Sequence, residues 1–521
     1  MVANMGSHIQ EKPLSPDLPD EILLHVASFI LGDPAPRFQG VVKCVTPEDA
    51  EDEIDHELEQ VRQEFRSVSS TLRSLALTSQ RFRPIAQEIL LRAPILYDQS
   101  REYKISPIVN FARTLLERPD LTKYVRNLRI NVPSDYATPG IKGPPINSAV
   151  SKGSAAVVDR LKIDTQTKKY WTAELNNFYP RAYCGVILAL VPKLEQLHLA
   201  PSIKHDSGRE LLAMLFGLEQ FVYDVDLVRI PGLSNLSHLK LVTEAPFELP
   251  RLRVLSNLKS LDLSIEPIYL DNSWVKSPGM YLPSITHLRV DCRIRKIGLA
   301  HKFFEDLRIV IRMFENLSSL QLYGEPPFYN HTMDLYNAGW QPWYETQLRE
   351  KSYSALLANL ASVAPQLQTL ELPRGFWTLP NIIQQRVLDS GSPVDSEDIY
   401  RGEVADFRAF STLTSLIIPK AAIAHERLGT TTLADPLITL PTCITHIKVY
   451  EVDEQLWPWL DIIVENRRSH FSALTQIELL QGEPLCPKTA PETLDELKIN
   501  NEKLWNKLVA SGIQLHYCHQ S

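Results

Sequence analysis

The residues best suited to chemistry lie at the end of the chain, where His516-Tyr517-Cys518-His519 brings two imidazoles and a thiol together. These side chains hold zinc, but a structural zinc site takes four ligands, and no nearby run supplies the rest. The segment therefore reads as a disordered tail or as purely local chemistry, and no metal is expected. Asp389-Ser390-Gly391 and Ser396 have the acidic-flanked serines of a phosphorylation motif, a pattern common in loops. No HExxH zinc helix, GxSxG elbow or Walker phosphate loop occurs, and the 14 histidines are dispersed. The sequence thus predicts a non-enzymatic protein with no catalytic residue and no cofactor.

Charge narrows the partners. The 521 residues carry 54 basic and 62 acidic side chains, a net charge of -8, which gives no general attraction to a phosphate backbone. Nucleic acid is not an expected partner. The six cysteines are scattered without close pairs, as in a protein with reduced thiols. The opening MVANMGSHIQEKPLSPDLPDE lacks the apolar core of a signal peptide, and no window approaches the ~18 apolar residues of a membrane span. The expected location is cytoplasmic, nuclear or both, with no membrane partner. The sequons at Asn235, Asn316 and Asn330 carry no meaning without secretion.

The elements that would position a binding site come from a recurring spacing: an aliphatic residue, two others, an aliphatic, one other, an aliphatic. It occurs at Val125/Leu128/Ile130, Leu194/Leu197/Leu199, Leu236/Leu239/Leu241, Leu258/Leu261/Leu263 and Ile285/Leu288/Val290. It returns at Leu317/Leu320/Leu322, Leu367/Leu370/Leu372, Leu413/Leu416/Ile418, Ile444/Ile447/Val449 and Leu474/Ile477/Leu479, with a weaker copy at Leu218/Phe221/Tyr223. The last two aliphatics alternate with one polar residue, as a short half-buried strand requires. Helix-like stretches at Phe303–Phe314, Tyr353–Val363 and Leu456–Arg467 lead into several copies. Helix, turn and strand repeated in this way resemble a leucine-rich-repeat solenoid, in which stacked units share one core. The period is irregular: 69 residues separate Ile130 from Leu199 and 18 separate Tyr223 from Leu241. A compact α/β domain with several parallel strands is the other architecture this pattern allows.

The residues between the aliphatics would face outward on a wide concave surface: His198, Lys240, Asp262, Arg289, Gln321, Glu371, Lys448 and Glu478. Their mixed signs favour a folded protein as partner. Excess spacing is assigned to excursions at 131–180, 323–350 and 373–400. The first, rich in Pro, Gly and Ser, reads as a mobile loop. The second concentrates aromatics, of which Tyr323, Phe328, Tyr336, Trp340 and Trp343 are candidate partner-binding residues, since buried Trp and Tyr dominate interface energies. A helix within Pro491–Ala510 and a strand at Ile513–Tyr517 would cap the array.

Ahead of the repeats, LPDEILLHVASFIL at Leu18–Leu31 has a first-turn proline, Asp20 and Glu21 at the positive end of the helix dipole, and apolar residues at helical spacing. Helices follow at about Thr71–Thr78 and Pro84–Leu91. An acidic insert at 32–69, containing TPEDAEDEIDHELEQVRQEF, reads as a solvated charged helix. LPDEILLHVASFI resembles the opening of the F-box, and LRSLALTSQRFRPIAQEILLR resembles its second half. The chain as a whole is similar to F-box proteins of fungal type with degenerate leucine-rich repeats. It departs from the F-box pattern in the insert and in Ala27, smaller than the leucine common there.

The resemblance implies an α/β protein with a small helical F-box-like module at 18–96, a disordered start at 1–17 and a repeat array over 97–521. It further implies a substrate-recognition subunit of an SCF-type cullin–RING ubiquitin ligase. Leu18, Pro19, Ile22, Leu23, Val26, Leu72, Leu75 and Phe82 would serve a Skp-family adaptor, and the repeats would hold a protein substrate. A repeat scaffold without ligase recruitment is the alternative.

Overall fold

The computed structural model describes residues 70–72, 74, 77, 82–97, 106–132, 146–177, 179–201, 225–243, 249–265, 281–291, 307–323, 353–373, 404–427, 430–450, 452, 456–481 and 502–519. The chain forms two compact units, Met1–Pro94 and Ile95–Ser521. In the first, residues 70–72, 74 and 77 are helical and α1 spans Phe82–Arg92. Leu72, Ala86 and Ile89 are buried there. Leu18–Leu31 and the insert at 32–69 lie outside the described residues.

The second unit is built on strands β1 (Ile95–Tyr97), β2 (Asn127–Val132), β3 (Gln196–Pro201), β4 (His238–Thr243), β5 (Ser260–Ile265), β6 (His287–Asp291) and β7 (Ser319–Tyr323). They continue as β8 (Thr369–Glu371), β9 (Ser415–Pro419), a hairpin of β10 (Ala424–Arg427) and β11 (Thr430–Leu433), β12 (His446–Tyr450), β13 (Gln476–Gln481) and β14 (Gln514–His519). All but the hairpin join one twelve-stranded sheet, laid down in sequence order with every neighbouring pair parallel. Each of the ten aliphatic triplets supplies one strand, and every residue of every triplet is at most 2% exposed. The weaker copy at 218–223 lies outside the described residues, and β3 pairs directly with β4.

This order has a physical consequence. Parallel crossovers are right-handed, so strands added always on the same side keep their connections on one face of the sheet. A doubly wound sheet reverses its order and is covered on both faces. The observed α/β arrangement, a long parallel sheet with intervening helices, is consistent with a repeat solenoid. The connecting elements are α2 (Pro107–Glu117), α3 (Ile146–Arg160), α4 (Thr165–Asn176), α5 (Pro180–Leu190), α6 (Tyr353–Asn359), α7 (Pro436–Thr439), α8 (Leu456–Glu465) and α9 (Glu502–Ser511). Short 3-10 turns, such as Leu249–Val254, replace the helix where the interval is short. No helix among the described residues is long and apolar enough to cross a membrane.

Lateral bonds at the start of each strand set the register. The carbonyls of Glu195, Ser237, Lys259, Thr286, Ser318, Gln368, Thr414 and Thr445 each accept two successive N–H groups of the next unit, at 2.8–3.2 Å. Hydroxyls strengthen the same line: Ser237 donates to the Glu195 carbonyl at 3.0 Å, Thr445 to Thr414 at 2.8 Å and Thr475 to Thr445 at 3.1 Å. Two residues earlier a second line forms. There Asn235, Asn257 and Asn316 donate their amides to the carbonyls of Pro192, Ser234 and Pro283 at 2.7, 2.8 and 2.9 Å. The sequons at Asn235 and Asn316 are thus parts of these two lines.

One expectation is overturned. The 131–180 stretch, expected as a mobile loop, contains α3 and α4. Its serines and alanines are small enough for close packing: Val150, Ser151, Ser154 and Val158 are buried, and Ser151 donates to the Asn176 side chain at 2.7 Å. The Asp164 carboxylate caps α4 at the Thr167 N–H, and Trp171 donates from Nε1 to the Ala182 carbonyl at 2.9 Å. The C-terminal helix and strand are present as expected. There α9 precedes β14, which pairs with β13 over residues 514–519.

Two glycines in this unit should respond oppositely to alanine. A Cβ on Gly232 would lie 2.3 Å from the Leu188 carbonyl oxygen, a backbone atom that cannot swing aside. Gly232→Ala should destabilise by about 1–3 kcal/mol through overpacking. On α3, a Gly153 Cβ would meet only the Leu116 side chain at 3.4 Å. Gly153→Ala should stabilise by about 0.5–1 kcal/mol, and denaturant titration of both variants checks the signs.

Candidate functional site

Residues that alternate with the buried aliphatics line the opposite face of the sheet. In-register pairing places Arg129, His198, Lys240, Asp262 and Arg289 side by side on β2 to β6. Gln321, Glu371, Ile417, Lys448, Glu478 and His516 continue the row on β7, β8, β9, β12, β13 and β14. Adjacent strands are about 4.8 Å apart, so successive members of the row are close neighbours.

Asp262 organises the first half. Its carboxylate lies 3.3 Å from Lys240 Nζ and 3.8 Å from Arg289 Nη1, and it accepts the Tyr323 hydroxyl at 3.1 Å. The Arg289 guanidinium stacks 4.1 Å over the Tyr323 ring. Burial pushes the Lys240 ammonium below its ordinary value, and the Asp262 carboxylate opposes that shift. Glu478 organises the second half. It accepts Gln476 Nε2 at 2.6 Å and lies 3.2 Å from Lys448 Nζ. His446 Nε2 sits 3.4 Å from the same carboxylate without hydrogen-bond geometry. Burial pushes the Glu478 carboxyl up, and the Lys448 bond and charge, with His446 and His516, outweigh it and hold the group below its ordinary value. The Tyr450 hydroxyl donates to Glu371 Oε1 at 3.2 Å.

His198 is different. It is 8% exposed, and neither ring nitrogen has a hydrogen-bond partner. Burial, then the charges of Arg129 and Lys240, hold the imidazole well below its ordinary value, so it is neutral at pH 7.

The row was expected to be exposed, and the structure corrects this. Lys240 and Asp262 side chains are each 16% exposed and Lys448 25%. Mutual contact across the short strand spacing covers them. Arg129, His446, Gln476 and Tyr450 also belong to this face and were not among the residues singled out from sequence. The signal was available, since Arg129 is itself the residue between the last two aliphatics of its triplet, and residues two positions from such a residue share its face.

Of the other expected site residues, Tyr323 ends β7 and packs on this face as described. Leu72 is buried in the N-terminal unit, and Phe82 opens α1. Leu18, Pro19, Ile22, Leu23, Val26, Leu75, Phe328, Tyr336, Trp340 and Trp343 lie outside the described residues. No group of three or more His, Cys, Asp or Glu side chains able to hold a metal occurs among the described residues. Neither a protein-family model nor a curated protein matches this chain.

The depressed His198 gives a pH dependence of definite sign. Below its ordinary value of 6.5 the unfolded chain takes up a proton that the folded chain refuses, so stability present above that value is lost on acidification. Each pH unit below it costs at most about 1.4 kcal/mol. Between about pH 7.5 and about pH 5.5 the wild type should lose roughly 1 kcal/mol more than His198→Asn, whose amide does not titrate. Urea unfolding at both pH values measures the difference.

Proposed function

We propose that the chain is the substrate-recognition subunit of an SCF-type cullin–RING ubiquitin ligase. In this reading an F-box-like N-terminal module docks a Skp-family adaptor, and a leucine-rich-repeat array binds a protein substrate. The observation that carries it is LPDEILLHVASFI followed by LRSLALTSQRFRPIAQEILLR, placed ahead of a sequential parallel sheet with a polar row of mixed sign. Leu77, 81% exposed in the second of these segments, offers an apolar side chain to an adaptor. On the sheet, a row of mixed sign suits a folded protein partner better than a nucleic acid, whose phosphates demand a uniformly basic surface. The chain itself performs no chemistry in this scheme. It holds the substrate near the transfer machinery, so catalytic residues and cofactors are not required of it.

Co-purification of the full chain with a Skp-family adaptor tests the reading. Wild type should retain the adaptor, and the Leu18→Ala/Pro19→Ala double variant should lose at least tenfold in affinity, because anchor truncations at interfaces commonly cost ~2 kcal/mol or more. A circular dichroism spectrum matching wild type guards against unfolding. If wild type fails to hold the adaptor, the ligase role is overturned and the chain is a repeat scaffold.

A further inference from the structure

Over β2–β6 the polar row alternates in sign with one gap. Asp262 is flanked in register by the cations Lys240 and Arg289 and forms ion pairs with both. One strand pair earlier the same frame recurs, with Arg129 and Lys240 in register on either side of His198. His198 thus stands where the pattern of signs would place an anion, yet it is a neutral imidazole.

We propose that the sheet face over β2–β4 is a binding site for a carboxylate side chain of the partner protein, with Arg129 and Lys240 as flanking cations and His198 as hydrogen-bond donor at its floor. This rests on the reading of the polar face as the partner-binding face. The two orphaned nitrogens of a side chain over nine-tenths buried are the independent sign of a missing ligand. Buried polar groups are almost always satisfied, and a donor left without an acceptor is costly. A neutral imidazole carries one N–H, which an incoming carboxylate oxygen would accept. The same anion would relieve the two charges that disfavour protonation of His198, and would give Lys240 a second carboxylate besides the Asp262 it shares with Arg289. Asp262 supplies the precedent on this surface: a carboxylate held by a lysine, an arginine and a tyrosine hydroxyl. An aspartate or glutamate of the partner would complete the row as cation, anion, cation, anion, cation.

The first test needs no ligand. His198→Asp builds the missing carboxylate into the chain, and His198→Asn is its neutral match in size. If the frame is an anion site, the Asp variant melts at higher temperature than the Asn variant at pH 7, and adding Lys240→Met to both narrows the gap. An Asp variant that melts at or below the Asn variant overturns the proposal, since a buried carboxylate without cations is strongly disfavoured. The second test is fluorescence anisotropy of the full chain with a labelled glutamate-rich decapeptide. Binding should weaken at least fivefold in His198→Asp and hold in Lys169→Met, an exposed lysine on α4 away from the sheet. Equal weakening in both variants overturns the site. Wild type that binds inorganic phosphate but not the peptide overturns the carboxylate assignment. None of these readouts involves the adaptor, so this site and the ligase reading can fail separately.

Discussion

The carbonyl oxygen at the start of strands β3 to β9 and β12 accepts two N–H groups from the unit that follows, and the rest of the sheet depends on that lateral bond. A unit of this chain offers three aliphatic side chains and a strand of three to six residues. Alone it could neither bury those side chains nor satisfy its backbone. The lateral bond fixes where the next unit begins, and parallel pairing then brings its aliphatics into line with those before it. Serine, threonine and asparagine side chains add to the same join because they reach the backbone of the preceding unit.

Register propagates chemistry as well as packing. With connections on one face, the other face receives whatever the alternating positions hold, at a spacing too short for charges to ignore each other. Like charges directly opposite are destabilising and unlike pairs are favourable. The row follows that rule around Asp262 and Glu478, and tyrosine hydroxyls from the strand ends donate to Asp262 and Glu371. At His198 the rule is met by removing a charge instead of reversing it. The histidine keeps Arg129 and Lys240 apart at the cost of two unpartnered nitrogens.

Much of this was legible in the sequence. Leu-x-Leu alternation identified ten strands because a residue buried on one sheet face must recur at period two. The final strand and the helix at Leu456–Glu465 were legible for the same reason of period. The helices at 146–160 and 165–176 were not, because Ser-, Ala- and Gly-rich composition is shared by loops and by helices that pack closely. Pairing on the polar face was only half legible. The central residue of each strand could be named, but its neighbour depends on which unit stacks next to which. The recurrence of serine or threonine after the first aliphatic, as at Ser237, Thr286, Ser318, Thr414, Thr445 and Thr475, gains its meaning only once the carbonyl it meets is known.

The interval between strand ends is 22 residues from Leu241 to Leu263 and 69 from Ile130 to Leu199, yet the parallel register runs unbroken across both. Closing a longer loop is cheap: the cost grows with the logarithm of length, and a threefold increase adds about 1 kcal/mol. The gene can therefore gain or lose whole helices between strands through insertion and deletion while the stack stays in phase. Strands would drift slowly in such a lineage and intervals quickly. Relatives of this chain would share its order of residues along the sheet while differing widely in length.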